Sequence, residues 1–393
     1  MFSLAPALAV AGPQEIAQAS VRAACLAVGV PCAPFARAAV PDGDPPQQPH
    51  TMNPAPASDE REYPSLKITG FGDIDFSSTH HPEGPRGFSE GQFVLHMASE
   101  LSPRVTFFGE LSFTPRTDAG TGSPPASGFN AEVERMILRF DRSDQLKVSF
   151  GRYHTPINWW NTAFHHGQWL QTTITRPEMI EFGGRFLPVH FVGALVEGAV
   201  PASGWNVNYQ AGLGNGRGAV ISRAGDAGDN NGKRAWLVSV FAKPDRAFGL
   251  QVGGSLYEDT ITLASNREIG ERIVSAHVAW TKEDPEFIAE VAGVRHEDAA
   301  SSSAVWSHAF YVQSAYRLPW FGRLWKPYYR FEHIGVNPTD AVFQTVPNLD
   351  GSTLGVRYDL TLFAAIKAEY RTWRRGAGLP RNYGGFLQIC FTF

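Results

Sequence analysis

The sequence predicts an all-β fold, a transmembrane antiparallel up-and-down β-barrel of about sixteen strands. Three observations predict it. The chain ends on an alternating aromatic strand, Phe386 to Phe393, that later chain cannot cover. From Ser65 onward, segments of about 9 to 14 residues suit a tilted bilayer-crossing strand, and most of them alternate apolar with polar. Connections between these segments alternate between short turns and longer Gly- or Ser-rich loops.

Composition narrows the alternatives. The 393 residues include 39 Gly, are 12% aromatic and 18% charged, and have no run of about 18 apolar residues that would form a membrane-spanning helix. A barrel with a polar lumen hides its membrane character in just this way. The net charge of -4 leaves no basic tract for phosphates, so nucleic acid is not an expected partner.

Residues 1–38 read as a signal peptide, with a short apolar run at Cys25–Val30 and a small-x-small site at Ala36-Arg37-Ala38. Residues 39–64 are Pro-rich and read as an extended periplasmic tether or disordered segment. Cleavage after Ala38 removes Cys25 and Cys32, so Cys390 has no internal disulfide partner, and no lipobox precedes either upstream cysteine.

The barrel occupies 65–393. Strands are expected near 65–76, 89–100, 104–113, 130–140, 145–153, 188–200, 204–214, 235–243, 247–257, 271–281, 286–296, 304–317, 324–335, 351–359, 363–373 and 383–393. Alternation is clear where Leu354, Val356 and Tyr358 oppose Gly355, Arg357 and Asp359. The short turns include Leu101-Ser102-Pro103, Arg142-Ser143-Asp144 and Glu283-Asp284-Pro285. Fifteen connections that begin and end with a long one place the turns and both termini on one side, the periplasmic side of such barrels.

These features carry a family resemblance. The final strand, ending on Phe393, resembles the closing strand of bacterial outer-membrane barrels, where the terminal Phe belongs to the signal read by the barrel assembly machinery. Gly70-Phe71-Gly72-Asp73-Ile74-Asp75-Phe76 is similar to the opening strand of trimeric general and substrate-preferring porins. The phosphate-selective branch is the nearest relative in kind, although its lysine cluster is not evident here. The resemblance spans Ser65 to Phe393 and implies passive diffusion of small hydrophilic solutes or ions through a water-filled lumen narrowed by the third extracellular loop. It also implies a bacterial outer-membrane location, contact with outer-membrane lipids and lipopolysaccharide, a possible homotrimer, and no cofactor.

The third long connection, 154–187, is the longest, and its Trp159, Trp160, Phe164, Trp169, Phe182 and Phe186 carry too much apolar surface to stay in water. Folding into the barrel mouth buries them and makes a constriction, leaving Asn158, Asn161, Gln168, Gln171, Arg176 and Glu178 to face solute. A lid over the rim or a latch onto a neighbouring subunit are the alternatives. His165 and His166 lie on this loop, with His154 upstream and His190 on the strand that follows. Adjacent histidines on an extended chain diverge, and no His-Glu-x-x-His or paired-Cys motif occurs, so contact with solute or structure is expected and no metal. Gly212, Gly214, Gly216 and Gly218 imitate a phosphate-cradling run without a following helix.

Strand parity assigns the lumen. Lys67, Arg135, Arg139, Lys147, Lys326, Arg330, Arg357, Lys367 and Arg371 are expected to face inward. So are Asp73, Asp75, Glu100, Glu110, Asp141, Glu197, Glu290, Glu332, Asp359 and Glu369. Five of the basic residues fall on strands thirteen to fifteen, where a ladder opposite the loop would set a transverse field on solutes. Two other classes compete. An outer-membrane enzyme has only Ser307-His308 as a candidate pair, and adjacent strand residues face opposite sides of the wall. A structural sleeve around a folded partner requires a wider barrel than sixteen strands make. A plugged TonB-dependent transporter is excluded, because about 26 tether residues cannot fold into a plug.

Overall fold

The computed structural model describes residues 63–393, apart from 82–83, 85, 117–127, 165, 182–184, 201–203, 223–224, 230 and 377. The expected signal peptide and nearly all of the Pro-rich segment lie outside these residues, as does His165. Sixteen strands follow in order: β1 (Lys67–Thr79), β2 (Arg86–Ser102), β3 (Val105–Pro115), β4 (Phe129–Ser143), β5 (Leu146–His154), β6 (His190–Val200), β7 (Val207–Asn215) and β8 (Arg234–Ala242). Then come β9 (Leu250–Thr262), β10 (Glu268–Trp280), β11 (Glu286–Asp298), β12 (Ala304–Ala315), β13 (Trp325–Gly335), β14 (Leu349–Asp359), β15 (Ala364–Arg375) and β16 (Asn382–Thr392). Each strand pairs antiparallel with its sequence neighbours, and β1 pairs with β16 to close the barrel.

Closure rests on the two motifs that the sequence displays at its ends. Gly70 donates its N–H to the Phe393 carbonyl at 2.9 Å, and Phe393 returns its own N–H to Gly70 at 3.0 Å. A Cβ on Gly70 would lie 2.1 Å from the Phe393 ring, and one on Gly72 would lie 2.6 Å from the Phe391 ring. The opening glycines are therefore the floor on which the closing aromatics lie. Leu387, Ile389, Phe391 and Phe393 are exposed on the outer wall, whereas Gln388 and Cys390 are buried inside. Around the barrel the same outward parity exposes Met136, Leu138, Phe140, Val238, Val240, Val274 and Val291, a surface that suits hydrocarbon.

Connection lengths are less regular than expected. The β9–β10 connection has shrunk to 263–267, because both strands run on as a long hairpin past the residues expected. The β12–β13 connection instead spans 316–324 and contains a 3-10 turn. Strand number and order are as expected all the same, since each is fixed by pairing along its full length and not by loop size.

Candidate functional site

Inside the barrel the dominant feature is segment 155–189, between β5 and β6. It carries a short helix, α1 (Trp160–Phe164), and two 3-10 turns at Gln168–Leu170 and Glu178–Ile180. Its apolar residues Ile157, Trp160, Met179, Ile180, Phe186 and Leu187 pack into one cluster with inward Leu237, Ile273, Ile288 and Tyr311 of β8 and β10–β12. Burial of that surface holds the segment against one side of the wall at roughly 25 cal/mol per Å² of apolar area.

Backbone groups of the segment have no strand to pair with, so inward side chains of the wall serve as their partners. Glu290 of β11 accepts the N–H groups of Trp159 at 3.0 Å and Trp160 at 2.6 Å. Glu369 of β15 accepts the Ile174 N–H at 2.6 Å, and Glu332 of β13 accepts that of Glu178 at 2.7 Å. Lys367 Nζ donates to the carbonyls of Gln168 at 2.6 Å and Thr173 at 2.9 Å. Arg357 donates to Trp169 at 2.7 Å and Gln171 at 3.0 Å. Arg330 donates to the Thr175 carbonyl at 2.7 Å and to the Thr173 and Thr175 hydroxyls.

The ladder expected to face solute is thus a set of clamps. Arg330, Arg357, Lys367, Glu332 and Glu369 are inward as parity requires, but they are buried beneath the segment. Arg371 is tied to Glu369 at 2.5 Å and lies over the Phe386 ring, and Asp359 is held by Arg357 at 2.7 Å. The expectation that Asn158, Asn161, Gln171 and Arg176 face solute is also corrected, since all four are buried. Asn161 donates to the carbonyls of Thr155 and Val189, pinning the two ends of the segment together. Burial lowers Arg176 to about 9. Burial likewise raises Glu178 to about 7, with Glu332 and Glu181 adding to the rise and Arg375, at 2.5 Å, opposing it. Trp159 and Trp169 are half-buried.

A second anchor was not legible from parity. Arg217, after β7, donates to Glu271 of β10 at 3.1 Å and to the Phe186 carbonyl at 2.8 Å. Residues 336–348 fold inward as well: Phe343 stacks on Phe186 at 5.1 Å between ring centres, and Asp340 accepts the Ser307 hydroxyl at 3.1 Å and lies 2.8 Å from His296 Nδ1. Ser307 therefore points inward and His308 is exposed on the outer wall, so the two do not act on one substrate.

At the other edge of the segment, a bulge opposite Glu110 and Leu111 turns both Glu134 and Arg135 inward, where strict alternation allows only one. Glu134 lies 3.2 Å from His166 Nε2 and 2.8 Å from His190 Nε2 and accepts the Ser112 hydroxyl. Glu110 receives Arg135 and lies 3.1 Å from His96 Nε2. Among the described residues no group of His, Cys, Asp or Glu has the arrangement to hold a metal ion. Asp73 and Asp75 face inward on β1, accepting the Gln92 N–H and the Gln388 amide. Lys67, by contrast, is exposed at the start of β1.

What the segment leaves uncovered is the β3–β7 side. A cavity of about 320 Å³ runs there between Pro156 and Thr162 of the segment and wall residues that include Thr106, Phe108, Arg135, Ile137, Arg139, Leu195, Glu197 and Gln210. Lys147 stands between Asp141 and Glu197 in register, so charges alternate across this face.

No protein-family model and no curated protein sequence matches the chain. Solved structures do. An anion-selective porin from Comamonas acidovorans superposes with a TM-score of 0.59 at 11% identity, covering 84% of this chain and 100% of that one. The outer membrane channel DcaP of Acinetobacter baumannii gives 0.57 at 9% identity over 84% and 97%. OmpT of Vibrio cholerae in a trimer form gives 0.54 at 13% identity over 84% and 100%. At such identities the likeness is one of fold, and the fold of this chain is the closed sixteen-stranded barrel of outer-membrane porins.

Proposed function

We propose that the chain is an outer-membrane porin through which small hydrophilic solutes or ions diffuse passively, along the β3–β7 side of a lumen narrowed by segment 155–189. The observation that carries this reading is the clamping of that segment inside the barrel while a cavity lined by both charged and apolar side chains stays open opposite. A lid or subunit latch would not require wall carboxylates and cations on β11 and β13–β15 to hold its backbone. The sleeve alternative is disfavoured because the chain's own segments 155–189 and 336–348 take up interior space a partner would need. In the same reading both termini are periplasmic, residues 1–38 are removed as a signal peptide, and the barrel associates as a homotrimer among outer-membrane lipids.

Single-channel recording of the purified protein in planar bilayers tests it. An ohmic conductance, increased when residues 162–175 are replaced by a short Gly-Ser linker in correctly folded protein, is the expected result. Silence of the intact protein, or an unchanged conductance and solute cut-off after shortening, contradicts it.

A further inference from the structure

The open cavity sets charged side chains beside apolar ones. On its polar side Arg139 Nη1 and Glu197 Oε1 face each other at 3.8 Å, within ion-pair range but too far apart for a hydrogen bond. Both side chains are partly exposed, at 36% and 26%. Each is held from behind: Asp141 takes Arg139 through Nε at 2.7 Å and Nη2 at 3.1 Å, and Gln210 donates to the other oxygen of Glu197 at 3.3 Å. A guanidinium and a carboxylate are thus fixed in place, and their facing atoms do not hydrogen-bond to each other. On the other side the cavity is lined by Phe108, Ile137 and Leu195, with the Arg135 guanidinium 4.4 Å over the Phe108 ring. Its volume of about 320 Å³ is at the small end of the ~300–1,000 Å³ that ligand sites occupy.

We infer that this cavity favours small amphiphilic zwitterions. The solute's carboxylate meets Arg139, its ammonium meets Glu197, and an apolar substituent lies along Phe108, Ile137 and Leu195. A purely anionic solute meets Arg139 and Arg135 but leaves Glu197 unmatched and facing it, and a polyol leaves the apolar side in contact with water. The inference rests on the proposed diffusion along this side. Because the two groups are partly exposed, the preference has the size of a surface ion pair, about two- to fivefold.

Proteoliposome swelling with L-leucine, L-serine and a neutral pentitol decides the matter. The wild type should admit leucine about two- to fivefold faster than the pentitol. Glu197→Gln and Arg139→Gln should each bring the leucine rate down to that of the pentitol, and Ile137→Ser should slow leucine but not serine. His308→Ala, on the outer wall, should change none of these. Equal rates for leucine and pentitol in the wild type, or a preference that survives both charge-removing variants, overturns the inference while leaving passive diffusion intact. Absence of swelling with every solute overturns the diffusion reading and this inference together. Should neither charge variant fold, the wild type alone is decisive: millimolar leucine must produce transient current blocks that the pentitol does not, and identical traces overturn the inference.

Discussion

Two sides of one lumen hold similar residues in opposite circumstances. On β13–β15, Arg330, Arg357 and Lys367 are buried and spend their donors on carbonyls of segment 155–189. On β4–β6, Arg139 is partly exposed, and so are Asp141, Lys147 and Glu197, which alternate in sign across neighbouring strands. The difference lies in the unpaired backbone that crosses the first side, not in the charges. An irregular segment inside a barrel must have its N–H and C=O groups satisfied, and inward charges are the available partners. A count of lumen charges therefore says little about selectivity until the fate of each is known.

The largest effect should come from removing a clamp. Arg330→Met leaves buried oxygens of Thr173 and Thr175 without their donor and Glu332 without a cation at 3.4 Å. A cost of about 3–5 kcal/mol is expected from breaking such a buried set. A lowered unfolding temperature on a semi-native gel, together with protease cleavage between 170 and 180, checks it; wild-type behaviour would place the segment's hold elsewhere. Glu290→Ala should cost less, about 1–3 kcal/mol, because it leaves the Trp159 and Trp160 N–H groups without their acceptor. Local hydrogen exchange at those two amides would report it.

A smaller effect follows from Glu178, raised to about 7 chiefly by burial. A carboxyl raised in this way favours the anchored segment while protonated. That stabilising contribution is complete below the ordinary Glu range and is lost as pH rises through about 7. Protection at 174–181, after correction for the intrinsic pH dependence of amide exchange, should therefore be lower at pH 8 than at pH 5, and Glu178→Gln should flatten that corrected profile. A flat profile in the wild type would mean that Arg375 keeps the group ionised throughout.

The smallest effect separates the two sides. Arg139→Ser should shift the reversal potential modestly toward cations, since a partly exposed charge acts over about 8 Å at physiological salt. Arg357→Ser should loosen the segment and raise conductance more than it shifts the potential. The reverse ordering would put the ladder in the conducting path after all.

Much of this was legible in the sequence because a barrel wall is written with period two. All sixteen strands, the inward parity of Arg330, Arg357, Lys367 and Glu369, and the closing role of Phe393 follow from alternation and from the end of the chain. The aromatic load of 154–187 pointed to a packed segment, and Trp160 and Phe186 are among the largest buried side chains. Three things were hidden. The bulge at Glu134 breaks the parity rule without a glycine or proline to announce it. The inward folding of 336–348 rests on Val342, Phe343 and Val346, too short an apolar cluster to stand out. The clamps were invisible because alternation tells which way a side chain points and not what lies in front of it.

The measurement that tests the account most directly is thiol accessibility on the two sides, in a cysteine-free background recorded as single channels. Gln210→Cys lies on the open side, and Thr353→Cys sits at a buried position on β14 beside the clamps. A charged water-soluble thiol reagent should reduce the current through the first within the recording and leave the second unchanged. Modification and block at 353, with 210 silent, would contradict the placement of the passage along β3–β7.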